Sequence, residues 1–152
     1  MEVSPSGEAR RELASWGRRL AALVVDVVVL VLVIAAALLA SGLQADELRE
    51  RIEDGDTLLV VFLFLIPEAI YHTALIGSRS QTFGKMALGI KVVDAESRTP
   101  IGYPRAFTRW LSTAALRALF TVPSIVDHLW PLRDGRNQTL HDKLARSVVV
   151  RT

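Results

Sequence analysis

The sequence predicts an all-α membrane protein with two full transmembrane helices, a third membrane-inserted, re-entrant helical segment, and a small cytoplasmic β pairing. Three observations predict it: two long apolar runs, an alternation of charge between the segments that flank them, and two short β-branched runs edged by charges. Whole-chain totals decide less. The 152 residues are 51% hydrophobic, with 18 basic and 16 acidic side chains, which excludes a disordered polar chain and a supercharged nucleic-acid arm. Without cysteine there is no disulfide scaffold, Cys-based zinc site or Cys nucleophile.

The first run, Leu20 to Ala40, has 21 residues and one charge, Asp26. At about 1.5 Å per residue it spans about 30 Å, the thickness of the hydrocarbon core. Arg18 and Arg19 precede it and a small-residue stretch follows, as in a signal peptide. A signal h-region runs about 7–15 residues, so this run is read as a retained span. The second run, Leu58 to Ile76, has 19 residues interrupted by Pro67, Glu68 and His72. A soluble domain of this size lacks the amphipathic elements needed to wrap two helices that are apolar all round.

The third region, Phe107 to Leu132, carries Arg117 and Asp127 and is divided by Pro123. Its first part is short for a routine span, a normal spanning helix being the alternative if Arg117 is paired, and runs of about 10–14 residues favour re-entrant or interfacial segments. Charge supports that reading. Residues 1–19 hold four basic and three acidic side chains, 41–57 two and six, 77–109 six and two, and 133–152 five and two. The positive-inside rule places the N-terminus, central loop and tail in the cytoplasm and the acidic loop outside. A third full span would put the basic tail outside, whereas a segment that bends near Pro123 and returns keeps it inside.

Residues 90–93 and 147–151 are β-branched runs expected to pair as strands. A lone two-stranded pair is marginal, so it should rest on the helices. Trp16, Trp110 and Trp130 fall at the ends of the apolar regions, where indole favours the headgroup level. Residues 1–13 read as a disordered tail and 14–151 as the membrane domain.

The charges inside the apolar runs need partners or a wet cavity, because each costs at least about 2.5–3.5 kcal/mol at bilayer depth. Asp26 is too deep to snorkel, and Arg19 lies two turns away on the same helix, so Arg117 or Arg109 is the expected partner. Asp26 is then either a titratable coupling carboxylate or half of a packing ion pair. Glu68 and His72 share a helix face but lack a third ligand, so no metal site is expected. The run from Gly77 to Lys85 is not a phosphate-binding loop, since six residues separate its glycines where four are needed and Met86 stands where Ser or Thr would. Arg79, Lys85 and Lys91 are instead expected against anionic headgroups. No nucleophile elbow or paired-carboxylate spacing points to an enzyme, and no cofactor or nucleic-acid partner is implied.

These motifs together resemble the RDD family of small bacterial membrane proteins, named for an arginine and two aspartates. Arg19, Ala22 and Asp26 in RRLAALVVD resemble its opening pattern. Thr82, Gly84, Lys85 and Gly89 in QTFGKMALGIKVVD resemble its central signature, with Ser80 in place of the first glycine. Arg136 to Val150, with His141 and Asp142, resembles its closing pattern with Asn137 inserted. The second aspartate of the name is Asp127 or Asp142. The resemblance implies a multi-pass protein of the bacterial plasma membrane with transport proposed and cation/proton exchange attributed to some members. The expected function is therefore transport of a cation or small solute, proton-coupled through Asp26 with Arg19 and Arg117 setting its charge. Three segments are too few to enclose a path, which favours a homo-oligomer in the lipid bilayer. The alternative is an assembly module that anchors a membrane-protein partner through its basic cytoplasmic loop.

Overall fold

The computed structural model describes residues 13–119 and 126–152. Helix α1 is Trp16–Ser41, started by Ser15, whose side chain accepts from the Arg18 amide, and ended by Gly42 at φ 73°. Only Ala22 and Asp26 are buried along it. Val24, Val28, Val31 and Leu32 are each more than half exposed. An apolar face of that extent belongs in lipid or against a partner. The acidic segment that follows contains a short helix, α2, Ala45–Glu53, with Asp46 and Glu47 in its first turn and Arg51 in its last, matching the helix dipole.

Helix α3, Thr57–Arg79, is the second helix long and apolar enough to cross a membrane. Asp56 caps it through the Leu59 amide. A π turn occupies Val61–Leu65, just before Pro67. Proline has no N–H to give the carbonyl four residues back, and the wider turn is where the helix absorbs that loss. Ser80 ends α3 in the left-handed conformation, φ 60°.

Short helix α4, Phe83–Ala87, leads to strand β1, Ile90–Asp94. Helix α5 is Gly102–Leu119, followed by the 3-10 turn Trp130–Leu132, helix α6, Leu140–Leu144, and strand β2, Ser147–Arg151. The strands pair antiparallel with Val92 opposite Val149, as the β-branched runs predict. Each outer edge is satisfied. Val92 donates to the Ser80 carbonyl at 2.7 Å and Gln81 reaches the Ile90 carbonyl, while Leu13 bridges to Val150 and Ala14 donates to Val149. One sheet face packs Ile90, Val92 and Val149 onto Ala22 of α1, Ile76 of α3 and Ala106 of α5. The helices thus supply the support that a two-stranded pair lacks by itself.

Two sequence expectations shift here. Helix α5 begins at Gly102 rather than Phe107, because Arg105 and Arg109 are helical residues whose charges are met: Arg105 pairs with Asp94 at 2.7 Å, and Arg109 pairs with Asp142. Trp110 therefore sits inside the helix, with its indole N–H buried, rather than at a segment end. The bend at Pro123 and the tail over residues 1–12 lie outside the described residues. Leu13, counted with that tail, is ordered against Val150.

Candidate functional site

Three buried aspartates fasten the sheet end of the molecule. Asp26, 1% exposed on α1, accepts from the Thr82 hydroxyl at 2.6 Å, the Gly84 amide at 2.7 Å and the Tyr71 hydroxyl at 2.7 Å. Lys85 stands 3.8 Å away. Thr82 caps α4 and points its hydroxyl proton at Asp26, so one side chain organises the turn and docks it. Gly84 is required by close approach, since a Cβ there would run into the Ala22 carbonyl and Asp26.

Arg117 and Arg109, the partners expected for Asp26, lie elsewhere. Helix α5 runs antiparallel along α3, so that Tyr103 meets Gly77 and Arg117 meets Glu68, the latter at 2.5 Å. Helix α1 is met by α4 at Asp26, and the carboxylate takes hydrogen-bond donors instead of a guanidinium. Lys85 is also not on the headgroup surface. Its side chain is 15% exposed, drawn in by Asp26, and burial pushes its pKa down to about 8 although Asp26 pulls the other way.

Asp142, fully buried, receives Arg19 at 2.6 Å on one oxygen and Arg109 on the other. It also closes a capping box with Thr139 at the start of α6. Burial opposes its charge, but Arg109 and Arg19 hold the carboxyl well below the usual range. Arg109 further donates to the Ser147 hydroxyl at 2.8 Å and lies 3.3 Å from His141. Asp127, also buried, accepts from the His141 amide at 3.1 Å and stands 2.6 Å from its Nδ1. Burial pushes the His141 pKa down, and a neutral ring with its proton on Nδ1 serves Asp127 while Nε2 accepts from Arg109. Trp16 donates to the His128 carbonyl at 2.8 Å, which ties this segment to the start of α1. Of the two candidates for the second family aspartate, Asp142 is the one Arg19 grips.

A profile of the RDD family matches residues 13–146. The chain belongs to the RDD family. No curated protein and no solved structure matches it. Membership and the two apolar helices fit a membrane protein. The residues that carry the sequence resemblance are paired as latches: Arg19 with Asp142, and Asp26 with Thr82 and Gly84.

Between α1, α3 and α5 lies a cavity of about 300 Å³ whose wall includes Glu68, His72, Lys85, Arg109, Trp110 and Arg117. An adjoining hollow of about 100 Å³ shares Lys85, Arg109 and His141 and adds Trp16 and Arg19. Of the predicted site residues, Glu68, His72, Lys85, Arg117 and His141 meet at the larger cavity and Arg19 at the smaller, while Asp26, Asp127 and Asp142 do not line either space. Glu68 is engaged by Arg117, so it does not form a joint ligand set with His72. Sequence reasoning missed Tyr71, a hydroxyl one turn beyond Glu68 that reads as one more apolar residue of the span, and Ser147, a serine at the start of a valine run.

Proposed function

We propose that this RDD protein passes or holds a small solute in the cavity between its helices, within the bacterial plasma membrane. The observation that carries the reading is that cavity: about 300 Å³, bordered by Glu68, His72 and Arg117 on helices that otherwise present apolar faces. Charged and titratable groups at membrane depth are costly and mark binding sites or pathways. The role is not enzymatic in this reading, and copies of the chain complete the path in an oligomer. Both ends of the domain lie at the cytoplasmic face in this reading, with residues 107–119 entering the membrane and His128 back beside Trp16 at the start of α1. Asp26 serves docking rather than proton coupling, because its oxygens are occupied by three donors within 2.7 Å.

Purified protein in vesicles should carry sodium, potassium or inorganic phosphate faster than empty vesicles. Thr113 lines the cavity, and Thr113→Trp should reduce that flux at least tenfold with the protein level unchanged. Flux equal to that of empty vesicles for all three ions would remove the reading. The assembly role has its own support in a hollow of about 460 Å³ bordered by Arg105, Arg136, Lys143 and Arg146 together with Asp94 and Glu96, a charged face suited to a membrane-protein partner.

A further inference from the structure

The charge on the cavity wall identifies what the space can hold. Among the described residues, the smaller hollow is bordered by three cations, Arg19, Lys85 and Arg109, and by no carboxylate. Their counter-charges lie behind the wall with their oxygens already occupied: Asp142 by both arginines, and Asp26 by Tyr71, Thr82 and Gly84. Among the described residues, three donors in this neighbourhood have no acceptor. Arg19 uses one guanidinium nitrogen on Asp142, while its Nε and Nη2 are buried and unpaired, and so is the Trp110 indole N–H on the larger cavity. Buried donors of this kind are rare and call for an oxygen-rich partner.

Resting on the reading of the adjoining cavity as a solute site, we propose that this hollow binds a phosphate-type oxyanion, held by Arg19, Lys85 and Arg109. The planar N–H fork of arginine matches phosphate oxygens in pairs, and lysine adds a point charge. Burial lowers the Lys85 pKa to about 8, and a bound anion would favour its charged form. A cation would face the same three positive groups without a free carboxylate to receive it. The phosphate can belong to a soluble ion or to a lipid headgroup.

The test uses the full chain in a maltoside detergent, which contains no phosphorus, and reads tryptophan fluorescence, since Trp16 and Trp110 border the two spaces. Inorganic phosphate is titrated at constant ionic strength against chloride, and phosphatidylglycerol is titrated in mixed micelles. We expect a saturable response to one of them and none to chloride. The response should weaken at least tenfold in Lys85→Gln and in Arg19→Lys, which keeps the charge on Asp142 but loses the fork, and Lys85→Arg should restore it. Saturation by phosphate identifies a soluble ion, and saturation by phosphatidylglycerol alone identifies a headgroup. Should a variant not fold, loss of the wild-type response in the Trp16→Phe, Trp110→Phe double variant places the anion here, and its persistence there places it elsewhere and overturns the proposal. No saturation by either probe, or saturation undiminished in both folded variants, also overturns it. Binding without vesicle flux removes transport and leaves the site standing, whereas flux without binding does the reverse.

Discussion

Arg19 and Asp142, separated by 123 residues, meet at 2.6 Å with the aspartate fully buried. The contact clamps the start of α1 to α6 and β2. Asp142 also holds Arg109, so Asp142→Asn leaves two guanidinium groups without their carboxylate. Removing one member of a buried ion pair costs about 3–5 kcal/mol. We expect a loss of that size in denaturant unfolding in detergent, and a change within experimental error would show that the clamp carries no stability.

The same carboxylate sets an acid limit. Its folded pKa is depressed below the ordinary value of 3.8, so its stabilisation is fully present above that value and is lost as pH falls toward the folded pKa. Unfolding midpoints should drop below about pH 4 in the wild type, and Asp142→Asn should flatten that part of the profile.

Lys85 acts in the opposite pH range. Its pKa falls from 10.5 unfolded to about 8 folded, so between these values the unfolded chain binds the extra proton and stability rises with pH. Lys85→Gln should abolish the rise. An identical alkaline profile in wild type and variant would contradict the burial of this ammonium group.

Gly84 packs against the α1 backbone where no Cβ fits. Gly84→Ala should destabilise by about 1–3 kcal/mol, the usual cost of overpacking, by pushing α4 away from Asp26. Ser80 is the reverse case. It occupies the left-handed region at φ 60°, a conformation that costs a non-glycine residue roughly 1 kcal/mol. Ser80→Gly should therefore stabilise the fold by up to about 1 kcal/mol, measured by the same unfolding series.

Position 80 also shows what the sequence made legible. The family pattern has glycine there, and a left-handed helix end is what glycine serves. Asn137, the other departure, likewise has positive φ, 51°, which asparagine tolerates better than most residues. The strands were readable because Ile90 to Val93 and Val148 to Val150 are β-branched, and the spans because Leu20 to Ala40 and Leu58 to Ile76 are apolar. The partners of Asp26 were not readable. Which helix meets α1 at that height depends on tertiary packing, and neither the amide of Gly84 nor the hydroxyl of Tyr71 carries a charge that a count of ion pairs can find. A charge count by itself places Arg105 and Arg109 in the central loop. Their carboxylates, Asp94 and Asp142, are what make those positions compatible with a helix packed against the sheet.

The latches, the cavity and the proposed anion site all depend on residues 13–14, 90–94 and 147–151 meeting in one sheet, which the proposed topology sets at the cytoplasmic face. The chain has no cysteine, so single replacements Glu50→Cys, Arg98→Cys and Thr152→Cys, all at exposed positions, report sidedness directly. An impermeant maleimide applied to intact cells should leave Arg98→Cys and Thr152→Cys unlabelled until the membrane is opened, and should label Glu50→Cys at once. Labelling of Thr152→Cys together with Glu50→Cys from outside would place the two strands on opposite sides and contradict the account.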